Sequence, residues 1–176
     1  MKLFVTRHGI TKDNENAIIS GWRPGELSEV GKAQMERVAM QLRDVHIDVI
    51  YSSDLARCRD SVAIINTFHN APVEYLELLR ELSSGEFDGR VAADMQAALR
   101  EHKGERDLFE PEGGESMVAF RERVLQFRTF LARESEKFKD KTILICSHST
   151  WVRIFLELDE MDPIALELVE YIDPQK

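Results

Sequence analysis

Lys2-Leu3-Phe4-Val5-Thr6-Arg7-His8-Gly9 decides the fold, because an almost unbroken apolar run delivers an Arg-His pair onto a glycine. A short run of this kind, with no polar alternation, reads as a strand covered on both faces, as in a parallel sheet. Lys141 to Cys146 repeats the pattern and ends at Ser147-His148-Ser149-Thr150, directly before a helical stretch. Ile47 to Tyr51 predicts another short strand, and Pro72 to Leu79 reads as extended. Helical spacing fills the intervals. Ser28 is a cap for a helix to about Arg43, with Val30, Ala33, Val38 and Leu42 on its apolar side. Asp54 is the predicted cap of a helix carrying Leu55, Cys58, Val62 and Ile65, with Arg57 in its first turn. A further helix follows from Val91, and a long one spans Ser116 to Phe138 with Val118, Leu125, Phe127 and Leu131 facing inward. This alternation predicts an α/β fold, a three-layer α/β/α sandwich with a mostly parallel central sheet, in one domain over residues 1–176. The tail, Ile164 to Ile172, fits strand or helix equally.

The chain has 176 residues, 43% of them hydrophobic, enough for one well-buried core. Its 23 basic and 32 acidic residues give a net charge of -9, which argues against a nucleic-acid or anionic-membrane surface and favours a small-molecule or protein partner. Cys58 and Cys146 form no ligand cluster and read as reduced, buried thiols. With no signal-like N-terminus and no apolar run long enough for a membrane span, the expected location is cytoplasmic. A homodimer is left open.

His8 and His148 each follow a predicted strand end, and the carboxyl ends of parallel strands are where such sheets bind ligands. Arg57 points from the same edge. Two helix N-termini beside these residues offer free N–H groups and positive dipole ends, so Arg7, Arg57 and the two histidines make an oxyanion site. Neutral imidazole attacks phosphorus when one ring nitrogen is free and the other is held by a hydrogen bond, a role His8 fits. Guanidinium groups grip the non-bridging oxygens, which suits Arg7 and Arg57. A leaving alkoxide needs a proton, and Glu81 is the chosen carboxyl, with Asp88 and Glu86 as alternatives.

These residues resemble the histidine phosphatase superfamily, also described as phosphoglycerate mutase-like, branch 1. Arg7 to Thr11 is similar to its RHGxT, with Asn14 at the asparagine that follows. Gly21-Trp22 through Leu27-Ser28-Glu29-Val30-Gly31 resembles its GW…LSxxG stretch, and Ser52 to Arg57 its SSxLxR. Leu79-Arg80-Glu81 through Gly85-Glu86-Phe87-Asp88-Gly89 is similar to the segment that carries the family's proton donor. Pro111 to Ser116 resembles the PxGES turn, with Arg123 beyond it, and Ser147-His148 the SHG.

The resemblance implies a phosphoglycerate mutase-like fold, His8 as phosphohistidine nucleophile, Arg7, Arg57 and His148 as phosphoryl pocket, and Glu81 as acid and then base. No metal or other cofactor is implied. Thr11, Asn14, Gly21, Arg23 and Ser149 are candidate substrate contacts, although Thr11 and Asn14 fit turn hydrogen bonds as well and Arg23 fits a solvated surface. Arg90 and Arg100 are read as surface residues and Trp22 as packing. Ser149-Thr150 stands where the family usually has Gly-Gly, so Ser149 either disturbs that loop or caps the helix and offers a hydroxyl to phosphate. Gly89 to Pro111 is short and lacks the basic run of the mutases. A metal-independent phosphatase acting on a small phosphate ester is therefore expected. A phosphoglycerate mutase, a phosphohistidine protein phosphatase and a catalytically weak phosphate-binding protein are the alternatives.

Overall fold

The computed structural model describes residues 1–161 and 169–175. Five strands, β1 (Lys2–Arg7), β2 (Val49–Ser53), β3 (Val73–Leu76), β4 (Thr142–Ser147) and β5 (Val169–Ile172), form one sheet in the order β3-β2-β4-β1-β5. All four pairings are parallel. Short α1 (Lys12–Glu15) and longer α2 (Glu29–Leu42) follow β1, and α3 (Ala56–Ile65) follows β2. After β3 come α4 (Ala92–Glu101) and α5 (Met117–Arg133), and α6 (Ser149–Met161) leaves β4.

Alternation along β1 explains the layers. Leu3 and Val5 join a core with Phe120, Val124, Phe127 and Leu131 of α5 and Trp151 and Phe155 of α6. Phe4 points the other way, into Met35, Val38 and Leu42 of α2 and Cys58, Val62 and Ile65 of α3. Helices thus cover both faces, and both must be apolar. Register sets Arg7 opposite Ser147 and Ser52 opposite Cys146, which brings the carboxyl ends of β1, β4 and β2 into one row.

Several sequence expectations shift. The second strand is Val49–Ser53 rather than Ile47–Tyr51, because Asp48 spends its carboxylate on Thr142 N–H at 2.8 Å while Ser52 and Ser53 stay in the ladder. Asp54 does not cap α3. Leu55 occupies that position without a side-chain bond, and Asp54 instead takes both Nε and a terminal NH2 of Arg80, at 2.7 and 2.6 Å. Ser28 does cap α2, but Val30 and Ala33 face solvent and Gly31, Gln34 and Met35 face in. The reason is close backbone packing at Gly9 and Gly31: a Cβ on Gly9 would lie 2.4 Å from the Gly31 carbonyl oxygen, and one on Gly31 would lie 2.0 Å from that of Ile10. Gln34 then accepts the Ile10 N–H at 2.9 Å, so α2 is rotated by its contact with the strand end. On α5, Phe127 and Leu131 are buried, whereas Val118 and Leu125 are exposed and Phe120 and Val124 take the inner face. The helix proper ends at Arg133, and Phe138 reaches the core from the turns beyond. In the tail, Val169–Ile172 is a strand beside β1, and the preceding part, 164–168, lies outside the described residues.

Candidate active site

His8 extends β1 by one residue, its N–H donating to the Ser147 carbonyl at 3.0 Å. It thus lies beside His148, with ring centroids 5.1 Å apart and nearly edge-on. The Nδ1 of His8 is 2.7 Å from its neighbour's carbonyl, Gly9 O. Because a carbonyl only accepts, Nδ1 carries the proton and Nε2 keeps its lone pair. Burial, reinforced by the Arg57 charge and then by Arg7, holds the imidazole down at about 3, with the Gly9 bond opposing. His8 is therefore neutral at ordinary pH.

His148 is fully buried, and burial first and Arg57 next hold it well below the usual imidazole range. Arg57 Nε donates to its Nδ1 at 3.2 Å, which fixes the proton on Nε2, 2.8 Å from Ser53 Oγ. Each terminal nitrogen of Arg57 also donates to a loop carbonyl, one to Gly21 at 2.7 Å and the other to Arg23 at 3.0 Å. Arg57 therefore gives the site its charge while clamping the loop over it. Arg7 differs: its Nε is buried beside the histidines' strand ends and has no hydrogen-bond partner. A buried, unsatisfied cationic donor costs free energy that an oxyanion would recover.

Glu81 reaches the same edge from the segment after β3. Its Oε1 accepts Leu82 N–H at 3.0 Å and its Oε2 accepts Thr150 N–H at 3.2 Å. The carboxyl thus sits on the N-terminal turn of α6, the helix that His148 precedes. Arg80 pairs with Asp54 and Arg90 with Asp94, so neither draws Glu81 into a surface ion pair. Asp88 lies under the loop. Its Oδ2 accepts Trp22 N–H at 3.0 Å, its Oδ1 is buried without a partner, and burial pushes its carboxyl up.

The other expected contacts divide. Gly21 has φ of +45°, a region that favours glycine, and its carbonyl holds Arg57. Arg23 contributes its carbonyl, with an exposed side chain. Thr11 and Asn14 form the capping box of α1, Thr11 Oγ1 accepting Asn14 N–H and Asn14 Oδ1 accepting Thr11 N–H. Ser149 is exposed in the first turn of α6 and lacks a positive φ, so a side chain is accommodated where a glycine was expected. Glu86 is exposed.

Two positioning residues act through backbone. Arg123 donates to the Leu78, Arg80 and Glu81 carbonyls at 3.1, 2.7 and 3.0 Å and pairs with Glu115, pinning the Glu81 segment to α5. Trp22 Nε1 donates to the Glu81 carbonyl at 2.8 Å, and its ring lies under Arg80. The sequence puts Arg123 on the helix beyond the PxGES-like turn without a role, and reads Trp22 of the GW pair as packing; both roles rest on backbone acceptors.

The profile of the histidine phosphatase superfamily (branch 1) matches residues 3–169. The chain belongs to this superfamily. Bovine fructose-2,6-bisphosphatase TIGAR is 32% identical over 165 residues, 87% of this chain and 61% of the relative. The adenosylcobalamin/alpha-ribazole phosphatase of Escherichia coli is 29% identical over 152 residues, 84% of this chain and 73% of the relative. Among solved structures, the alpha-ribazole phosphatase of Shigella flexneri superposes with a TM-score of 0.78 at 28% identity, covering 90% of this histidine phosphatase chain and 79% of that one. The chain thus spans about three fifths of the bovine relative's length. Among the described residues no helix is long and apolar enough to cross a membrane.

Proposed function

We propose that this histidine phosphatase chain is a phosphomonoesterase that works through a phosphohistidine on His8 Nε2. The observation that carries the reading is the His8 imidazole itself: neutral, with Nδ1 tied to Gly9 O and Nε2 free, beside Arg57 and the unsatisfied Arg7 Nε. Arg7 receives non-bridging oxygens of the phosphoryl group, the Arg57 charge offsets theirs, and the N-termini of α3 and α6 add their dipoles. His148, neutral and fixed between Arg57 and Ser53, holds the Arg57 guanidinium in place.

In the first step the Nε2 lone pair forms the P–N bond as the ester P–O bond breaks, and protonated Glu81 gives its proton to the leaving alkoxide. Nδ1–H stays on Gly9 O and shares the positive charge that develops on the ring. In the second step the Glu81 carboxylate takes a proton from water, the water oxygen bonds to phosphorus, and the P–N electron pair returns to Nε2. Glu81 is assigned over Asp88 because its carboxyl is mounted on α6, two residues beyond His148, whereas Asp88 braces the Gly21-Trp22 turn. Positive charge for both steps comes from arginine, so no metal is required.

Hydrolysis is favoured over mutase transfer because the four basic residues from Gly89 to Pro111 are all exposed and form no consecutive run: Arg90 pairs with Asp94, Arg100 bonds the Gln96 carbonyl, and Lys103 and Arg106 follow beyond α4, with Asp107 next to Arg106. Small phosphate esters are the proposed substrates and the cytoplasm the proposed location. The test is phosphate release from p-nitrophenyl phosphate in excess EDTA, alongside His8→Ala. Turnover that survives EDTA, with an acid-labile phosphoenzyme absent in His8→Ala, supports the reading. A folded wild type that neither turns over nor labels would leave the phosphate-binding protein as the better description.

A further inference from the structure

A cavity of about 230 Å³ lies beside the Glu81 segment and the first turn of α6. Leu82 and Thr150 belong to its wall, and the backbone N–H groups of these same two residues hold the Glu81 carboxylate. Its apolar surface comes from Leu82, Met95, Leu99, Phe109 and Met117. Its four charged side chains are two cations, Arg106 and Arg153, and two anions, Asp107 and Glu115, so the lining has no net charge; Glu115 is paired with Arg123 and Arg153 with Glu157, and Arg106 and Asp107 are exposed.

We propose that this cavity receives the alcohol part of the substrate, and that this alcohol carries an apolar ring body. The proposal rests on the phosphatase reading and goes beyond it by naming a substrate class. An acid that protonates the bridging oxygen must lie between the phosphoryl pocket and the departing alcohol. The half-open space adjoining Glu81 on its α6 side is therefore the leaving-group site, and its apolar wall, with a lining of no net charge, suits an apolar body better than a second anion.

The roof points the same way. None of the residues of α4 is buried, yet Met95 and Leu99, one turn apart, are half-buried and line the cavity. A helix this short has little stability of its own, and its position depends on what its apolar face covers. A ring in the cavity supplies the missing contact.

The test compares 2-(1-naphthyl)ethyl phosphate with ethyl phosphate, two alkyl esters whose leaving groups differ little in acidity. The wild type is expected to favour the naphthyl ester by about tenfold or more in kcat/KM. Leu99→Trp, which fills the cavity, and Met95→Glu, which charges it, should each bring the ratio to within about twofold of unity. Equal kcat/KM values in the wild type, or a ratio unchanged in both folded variants, overturns the proposal and leaves the phosphatase reading standing. If neither ester is hydrolysed and His8 does not label, the phosphatase reading fails, and calorimetry with the two matching phosphonates decides the cavity separately. Tighter binding of the naphthyl phosphonate that either folded variant abolishes sustains it, and equal binding refutes it.

Discussion

Mild acid should destabilise this protein through its buried histidines. Folded His8 titrates at about 3 against an ordinary 6.5, so between these values the unfolded chain binds a proton that the folded one refuses. The stability present above 6.5 is lost progressively as pH falls toward 3. Going from about pH 7.5 to about pH 5.5, the unfolded imidazole becomes almost fully protonated, which costs the native state about 1.4 kcal/mol for His8. His148 shifts in the same direction and adds to the loss. Urea unfolding at the two pH values, for wild type and His8→Ala, reads the effect as a difference of differences. His8→Ala changes the absolute stability at both pH values, but its loss on acidification should be smaller than the wild type's by about 1.4 kcal/mol. Equal losses in the two proteins would refute the buried neutral imidazole. The same shift means that protonation of His8 does not set an acid limb of activity near 6.5, because its Nε2 lone pair survives far below that.

Glu81→Gln should lower kcat on alkyl phosphates by about 10²–10⁴-fold, and far less on p-nitrophenyl phosphate, whose leaving group needs no proton; steady-state kinetics on both esters checks this. Arg123→Ala should cost about 2–4 kcal/mol in denaturant unfolding, because it removes the donor of the Arg80 carbonyl, one of two donors to each of the Leu78 and Glu81 carbonyls, and the cation paired with Glu115. Gly21→Ala meets both a positive φ and the Asp88 carboxylate, 1.7 Å from the new Cβ, so it should displace the Arg57 acceptor. A melting temperature lowered by a few degrees and kcat/KM reduced by at least about tenfold are expected.

The strands β1 and β4 were legible because both of their faces are buried, which leaves an apolar run in the sequence, and their ends delivered His8 and His148 to one row. Arg57 followed from its place in the first turn of α3. Ser52 and Ser53 were less legible, since serines read as loop until their hydroxyls are seen bonded within the sheet edge. Helix faces were misjudged where polar or tiny residues turn inward: Gln34 on α2 and Arg128 on α5 are buried, and a count of apolar residues passes over them. Trp22 and Arg123 work by donating to carbonyls, and the acceptor carries no side-chain signature. The cavity under α4 depends on how segments distant in sequence meet, so no local pattern announces it.

The loop between β1 and α2 leaves and re-enters the fold through a closed stem. Lys12 N–H bonds the Glu26 carbonyl, Ser28 N–H bonds that of Ile10, Thr11 and Leu27 pair as an antiparallel bridge, and Gly9 and Gly31 meet just behind them. Everything between is a cassette whose two ends are fixed by these backbone bonds, with the Lys12–Glu26 ion pair across them. Doubling the length of such an insert costs only about 0.6 kcal/mol in closure entropy. A grafted loop that keeps two carbonyls facing Arg57 and an indole N–H on the Glu81 carbonyl would give the mouth of the site a new outline while the nucleophile stays where β1 put it.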